Sequence, residues 1–235
     1  MLLLAIETGT FMPSVALLNG RQLLASSLCQ PGQSLTSQLL PTIDRLLVSA
    51  GVQVGDLQGL AVSIGPGSFT GLRVGMATMS ALRLALAIPM VGVSSLEALA
   101  WNVLPVSLPI LSTIFIKPGH LYFGLYEWSG EAVVRIGNEA MGTVGEVLQS
   151  LDGGETLVVG DGWIRNQEFL VSTQEHRVRS ASDSGHPSAQ GVGLAGIGYL
   201  ARGETLAEGT SPHYLQLSYA EVAMGNHHAP QRFQG

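Results

Sequence analysis

Apolar residues open the chain in short unbroken runs. Leu2–Ile6, Ser14–Leu18 and Gln22–Ser27 read as three successive strands, with Glu7-Thr8-Gly9-Thr10 turning between the first two. The period then changes. Leu35, Leu39, Ile43, Leu46, Leu47 and Ala50 share one face of a helix over Leu35–Ala50, and Pro41 inside it either starts the regular part or kinks it. Leu60–Ile64 and Met90–Val93 are further buried strands. Between them Thr70–Ala87 carries only Arg73 and Arg83 as charges in eighteen residues, and a helix apolar on nearly every side needs cover on more than one. Ser94 and Ser95 cap a helix through Trp101. In the second half Ile110–Ile116 and His120–Glu127 read as hairpin strands around Lys117-Pro118-Gly119, and Ala132–Ile136 as a third strand. Val144–Leu151 reads as a helix, Thr156–Gly160 as a buried strand and Val192–Arg202 as a helix. Residues 172–190 are polar and Ser-rich, which predicts a surface loop. The order three strands, helix, strand, helix, strand, helix, begun again near Ile110, predicts a mixed-sheet α/β protein of two lobes, 1–104 and 105–235. A return of the chain end to the first lobe stays open, and a mobile tail is expected after about residue 225.

The stretch Ser63-Ile64-Gly65-Pro66-Gly67-Ser68-Phe69-Thr70-Gly71-Leu72-Arg73 joins a strand to the apolar helix. Gly65, Pro66 and Gly67 force a tight turn of little bulk, and Ser68 is a good N-cap with free N–H groups behind it, a natural anion site. Gly67, Ser68 and Thr70 are therefore phosphate-loop candidates, and Glu7-Thr8-Gly9-Thr10 resembles the Asp-x-Gly-Thr phosphate turn of actin-like ATPases, which implies Glu7 and Thr8 as further ones. The loop is not a P-loop, because Leu72 and Arg73 stand where that pattern needs Lys and Ser/Thr. It is not a hydrolase elbow, because Pro66 and Thr70 flank Ser68 in place of glycines. A joint whose glycines serve only packing is the other reading.

Composition narrows the field. Of 235 residues, 46% are apolar and 12% charged, which favours a large core and leaves room for an apolar surface that needs a partner. A net charge of −6 with eleven Lys plus Arg argues against an autonomous grip on a nucleic-acid backbone. Cys29 is the sole cysteine, so neither an internal disulfide nor a Cys-rich metal site forms. Met1–Ile6 lacks the basic flank of a signal peptide, and Pro105 and Pro109 break the apolar stretch Val103–Ile116, so a cytoplasmic protein is expected. His120 and His186 have no partner at ligand spacing, and His213, His227 and His228 give only an adjacent pair near the chain end. No metal site, paired carboxylates or general acid–base pair is evident. Asp161, in Gly160-Asp161-Gly162-Trp163, either faces a nucleotide or shapes a structural turn.

Met1–Gly9, Ser14–Leu18, Ile64–Gly75 and Pro89–Leu96 resemble the bacterial TsaB (YeaZ) family, with Gly65–Gly75 free of mismatches to its signature and Gly160–Trp163 and Pro212–Leu215 as later matches. The resemblance implies a two-lobed actin-like, sugar-kinase-like ATPase (ASKHA) fold. It implies a non-catalytic dimerisation subunit of the machinery that makes N6-threonylcarbamoyladenosine beside the anticodon of tRNAs reading ANN codons. The partners implied are the catalytic paralogue TsaD and the ATPase TsaE, with TsaC supplying the threonylcarbamoyl adenylate. A homodimer is a further possibility, and tRNA is met only through the complex. No cofactor is expected for the isolated chain, ATP and metal being held mainly by partner subunits. Three departures stand out: Glu7 where actin-like ATPases carry Asp, Ser34 and Leu35 where a relic Glu-His is common, and Phe115, Ile116 and Lys117 where Asp-Ala-Arg is common.

In the resembled family the two long helices dock on their counterparts in the paralogue. The corresponding interface is Leu39, Ile43, Leu46, Leu47, Gly71, Gly75, Met76, Met79, Leu82 and Arg83. The residues add a reason of their own, because Gly71 and Gly75 leave a small-residue groove beside adaptable Met76, Met79 and Leu82. The alternative is that the first helix alone covers the second. A competing function is an independent ATPase or small-molecule kinase, which needs two Asp-bearing phosphate loops and a base. A protease lacks any nucleophile–base constellation.

Overall fold

The chain makes the same five-stranded sheet twice. The computed structural model describes residues 1–30, 32–149, 151, 154–169, 178–181 and 185–212. In the first sheet β1 (Leu2–Glu7), β2 (Ser14–Asn19) and β3 (Gln22–Leu28) form an antiparallel meander, and β4 (Gly59–Gly65) and β5 (Met90–Ser94) add in parallel, giving the order β3-β2-β1-β4-β5. In the second, β6 (Ile110–Lys117), β7 (His120–Trp128) and β8 (Val133–Thr143) repeat the meander. The strands β9 (Thr156–Val159) and β10 (Val178–Ser180) repeat the parallel additions, giving β10-β9-β6-β7-β8. The central strands are covered on both faces and so read as continuous apolar runs. The edge strand β3 alternates exposed and half-buried positions.

Helices fill the faces. α1 (Leu35–Ser49) and α2 (Phe69–Leu86) lie together on one face of the first sheet, where Leu39, Ile43, Leu46, Leu47, Met76 and Met79 join Leu4, Ile6, Val15 and Leu17 in one core. α1 runs unbroken through Pro41, whose ring sits on its exposed side. The opposite face carries α6 (Ala189–Ala201), which packs on β1, β2, β4 and β5 and on α3 (Ser95–Trp101). α3 in turn reaches β6, β7 and β8 through Leu96, Leu99 and Ala100. α4 (Val144–Gln149) covers the far face of the second sheet, and α5 (Asp161–Ile164) is a single turn after β9.

A return of the chain to the first lobe, left open by the sequence, is seen in α6, which buries its apolar surface on the first sheet. Two expectations are corrected. β8 continues past Ile136 to Thr143. Gly137, at φ 70°, sits where the pairing with β7 shifts register, so it makes a bulge rather than an end. The Ser-rich segment 172–190 contains β10 and the start of α6, although residues 170–177 and 182–184 lie outside the described residues. The expected mobile tail after 225 also lies outside them, as do His213, His227 and His228.

Candidate functional site

Two places in the fold carry the sequence candidates, and they differ in kind. The first is the turn after β1. Glu7 ends that strand with its side chain wholly buried. Its Oε1 accepts from the Gly9 N–H at 2.5 Å and its Oε2 from the Ser95 hydroxyl at 3.2 Å. Burial pushes its pKa up to about 7, with bonds from Gly9, Ser63 and Ser95 pulling the other way. The Thr8 N–H donates to Ser63 Oγ at 3.2 Å.

The Gly-rich loop folds directly onto this turn. The Ser68 N–H donates to the Gly9 carbonyl at 2.6 Å, and Ser68 Oγ caps the helix by accepting from Gly71 N at 3.3 Å. A methyl group on Gly67 would strike the Gly9 carbonyl, one on Gly71 the Thr8 carbonyl, and one on Gly75 the Thr8 hydroxyl. These glycines exist to let the turn after β1 lie against the first two turns of α2. One N–H ahead of α2, that of Ser68, is thus taken by the chain's own Gly9 carbonyl, and Glu7 is buried and hydrogen-bonded within the turn. Thr70 is exposed at the rim.

Beyond the turn a cleft of about 360 Å³ opens between the lobes, lined by Gly9, Phe11 and Ser68 on one side and Phe115, Tyr122 and Arg165 on the other. Asp161 lies in it and serves as a turn-former: its Oδ1 accepts from Phe115 N at 3.0 Å, and Arg165 is 3.7 Å from its other oxygen. The Arg165 guanidinium lies 3.7 Å from the centre of the Phe115 ring. Among the described residues no group of three or more His, Cys, Asp or Glu is placed to hold a metal.

The second place is the helix pair α1–α2, where the expected interface is turned inside out. Leu39, Ile43, Leu46 and Leu47 are 1–5% exposed and Met79 is fully buried, so they belong to the core. Met76, 7% exposed, joins them. Gly71 and Gly75 form a small-residue groove as expected, but its occupant is Thr8 rather than a second helix. Leu82 is half-buried against the same core. Arg83 Nη1 donates to the Leu206 carbonyl at 2.7 Å, fastening the segment after α6 to α2. What faces outward is a different set: Leu40 at 55%, Val48 at 72% and Leu84 at 74% exposed, with Ala77, Ala81 and Ala85 also on the surface. The signal for them was present in the sequence. Leu40 and Val48 fall off the apolar stripe of α1, and α2 has more apolar positions than one buried face can use.

The sequence also gave no sign of a buried polar group between the lobes. Tyr126 Oη donates to Glu139 Oε1 at 2.5 Å, and Trp101 Nε1 donates to Glu97 Oε1 at 3.4 Å. The Tyr199 hydroxyl donates to the other oxygen of Glu97. Burial raises the Glu97 pKa, and the nearby Glu139 adds to the shift. The two carboxyl groups, one from α3 and one from β8, lie close enough to feel each other's charge, and neither lines the cleft beside Phe115.

Comparison with known proteins gives a consistent result. The family model described as "TsaD: tRNA N6-adenosine threonylcarbamoyltransferase" matches residues 32–186. The tRNA threonylcarbamoyladenosine biosynthesis protein TsaB of Escherichia coli is 34% identical over 172 residues, 69% of this chain and 72% of that one. A solved structure from Pseudomonas aeruginosa, titled as similar to peptidase YEAZ, superposes with a TM-score of 0.80 at 28% identity, over 92% of this chain and 99% of that one. A ROK hexokinase from Thermus thermophilus superposes at 0.51 with 12% identity, over 86% and 100%, and shows the fold alone: actin-like, shared with sugar kinases.

Proposed function

Since the chain belongs to the TsaB (YeaZ) family, we propose that it acts as the non-catalytic scaffold of the complex that installs N6-threonylcarbamoyladenosine beside the anticodon of ANN-decoding tRNAs. Its place is in tRNA modification, and its partner is a TsaD-related protein, a paralogue built on the same family pattern. It pairs with that catalytic subunit and activates it. The ATPase TsaE joins the assembly, and ATP and metal are held mainly by the partners. In the absence of TsaD the same face pairs two copies of the chain. The protein meets tRNA only through the complex and works in the cytoplasm; no described helix is long and apolar enough to cross a membrane.

The observation that carries this reading is the unpartnered outer face of α1 and α2. A chain with a complete core on both sides of its first sheet still leaves Leu40, Val48 and Leu84 more than half exposed on two neighbouring helices. Large apolar side chains left this exposed on two packed helices are what a docking site would cover. Against the independent-ATPase alternative, the Ser68 N–H is already taken by the Gly9 carbonyl and Glu7 is buried within its own turn.

Reconstitution tests the reading. Purified TsaD, TsaE and TsaC homologues with tRNA, ATP and threonine should modify adenosine only when this chain is added. The chain alone should neither modify tRNA nor turn over ATP. ATP hydrolysis by the isolated chain that survives repurification and is lost in Glu7→Ala would overturn the non-catalytic assignment.

A further inference from the structure

A cavity of about 670 Å³ is walled by residues of both lobes and shares no lining residue with the cleft beside Phe115. Arg21, in the turn between β2 and β3, lines it together with Trp101 at the end of α3 and Leu104 just after it. Trp128 at the end of β7, His186 ahead of α6 and Leu194 within α6 complete the wall used here. The Trp101 and Trp128 rings meet edge to face, with centres 5.6 Å apart and planes at 75°, and so make an aromatic corner. The Arg21 guanidinium stands 5.5 Å from the centre of the Trp101 ring. Arg21 Nη2 donates to the Glu131 carbonyl at 2.6 Å, which uses one of the five N–H groups a guanidinium carries. The His186 Nδ1 is buried and has no hydrogen-bond partner among the described residues. The lining holds no carboxylate, in a chain whose net charge is −6. Glu97, which accepts from Trp101 Nε1, is not part of it.

We propose that this cavity binds a small aromatic carboxylate. A flat ring packs against the indole corner and takes further apolar contact from Leu104 and Leu194. A carboxylate on that ring meets the N–H groups Arg21 has left, in the forked geometry that suits a guanidinium. The two requirements come from different residues and act together. A ringless anion leaves both indoles facing water, and a neutral ring leaves the one cation of the wall without a partner. The volume lies in the range of small-molecule pockets, about 300–1,000 Å³. A ligand seated here touches the β2–β3 turn, α3, β7 and α6 at once, so it bears on the junction of the lobes and not on the outer face of α1 and α2.

The probe is 2-naphthoate, with its neutral isostere 2-naphthamide as control, each titrated into the isolated full chain and followed by ligand-observed NMR. The parent should bind 2-naphthoate with a Kd below about 1 mM and the amide at least about five-fold more weakly. Arg21→Gln, at an exposed position, should bring 2-naphthoate down to the level of the amide. Trp128→Leu should weaken both probes at least about five-fold. If Trp128→Leu lowers the urea midpoint, Arg21→Gln decides alone. Leu84→Asp, outside the cavity, should bind both probes as the parent does. No binding by the parent at about 5 mM overturns the proposal, as does equal binding of acid and amide. A folded Arg21→Gln or Trp128→Leu that keeps the parent's affinities also overturns it. So does loss of binding in Leu84→Asp, which would assign the probe to the outer face of α2. TsaD is absent throughout, so failure here leaves the scaffold reading untouched.

Discussion

At the scale of single residues, the turn after β1 concentrates the testable chemistry. Glu7 is fully buried with its pKa raised to about 7 from an ordinary 4.5. The folded protein therefore keeps a proton that the unfolded chain releases, and stability falls as pH rises between these values. Below about 4.5 the full stability is present, and above about 7 the loss is complete, at most about 3 kcal/mol. Urea unfolding at pH 5, 6 and 8 should show this decline, and Glu7→Gln should flatten it. A parent protein equally stable at all three would remove Glu7 as its source. Gly75 gives a second handle. Gly75→Ala pushes a methyl group into the Thr8 side chain and should destabilise the isolated chain by about 2 kcal/mol. Combining it with Thr8→Ala should recover at least half of that, and strictly additive effects would mean the two do not touch. The glycines at 67, 71 and 75 were legible in the sequence as a close-approach surface. What approaches them was not, because the partner is a turn some sixty residues earlier, and only the parallel pairing of β1 with β4 brings it there.

At the scale of elements, α2 shows where sequence pattern succeeds and where it stops. Its position, its Ser68 cap and its need for cover on more than one side follow from composition. Which positions face which cover does not, because an apolar helix has no polar face to orient it. The interface residues expected from the stripe of α1 went into the core for the complementary reason: a clean amphipathic stripe is what the helix's own sheet takes first. The bounds of β8 and α6 and the strand β10 depart from local pattern, where a bulge glycine, a long crossover and a short strand within a polar segment outweigh it. The C-terminal end of α2 carries a further prediction. Ala87 closes the helix in the left-handed conformation, at φ 54°. Ala87→Gly should raise stability by about 1 kcal/mol, seen as a higher urea midpoint at unchanged slope. A lower midpoint would contradict the cap geometry.

At the scale of the whole molecule, two repeats of one sheet plan are joined by α3 and α6, each helix serving the lobe opposite its own end of the chain. The buried group of Glu97, Tyr199, Tyr126 and Glu139 sits at that junction and ties α3, α6, β7 and β8 together. In the cleft, a packed turn on one lobe lies opposite Phe115 and Arg165 on the other. In the proposed reading, the working surface is the outer face of α1 and α2. The most direct measurement of that claim is calorimetric titration of this chain with the TsaD homologue from the same genome, comparing the parent with Val48→Asp and Leu84→Asp. Both substitutions replace exposed side chains, so the urea midpoints should stay with the parent. The parent should bind, and each variant should bind at least about 30-fold more weakly, a loss of ~2 kcal/mol. Folded variants that bind TsaD as tightly as the parent would contradict the account.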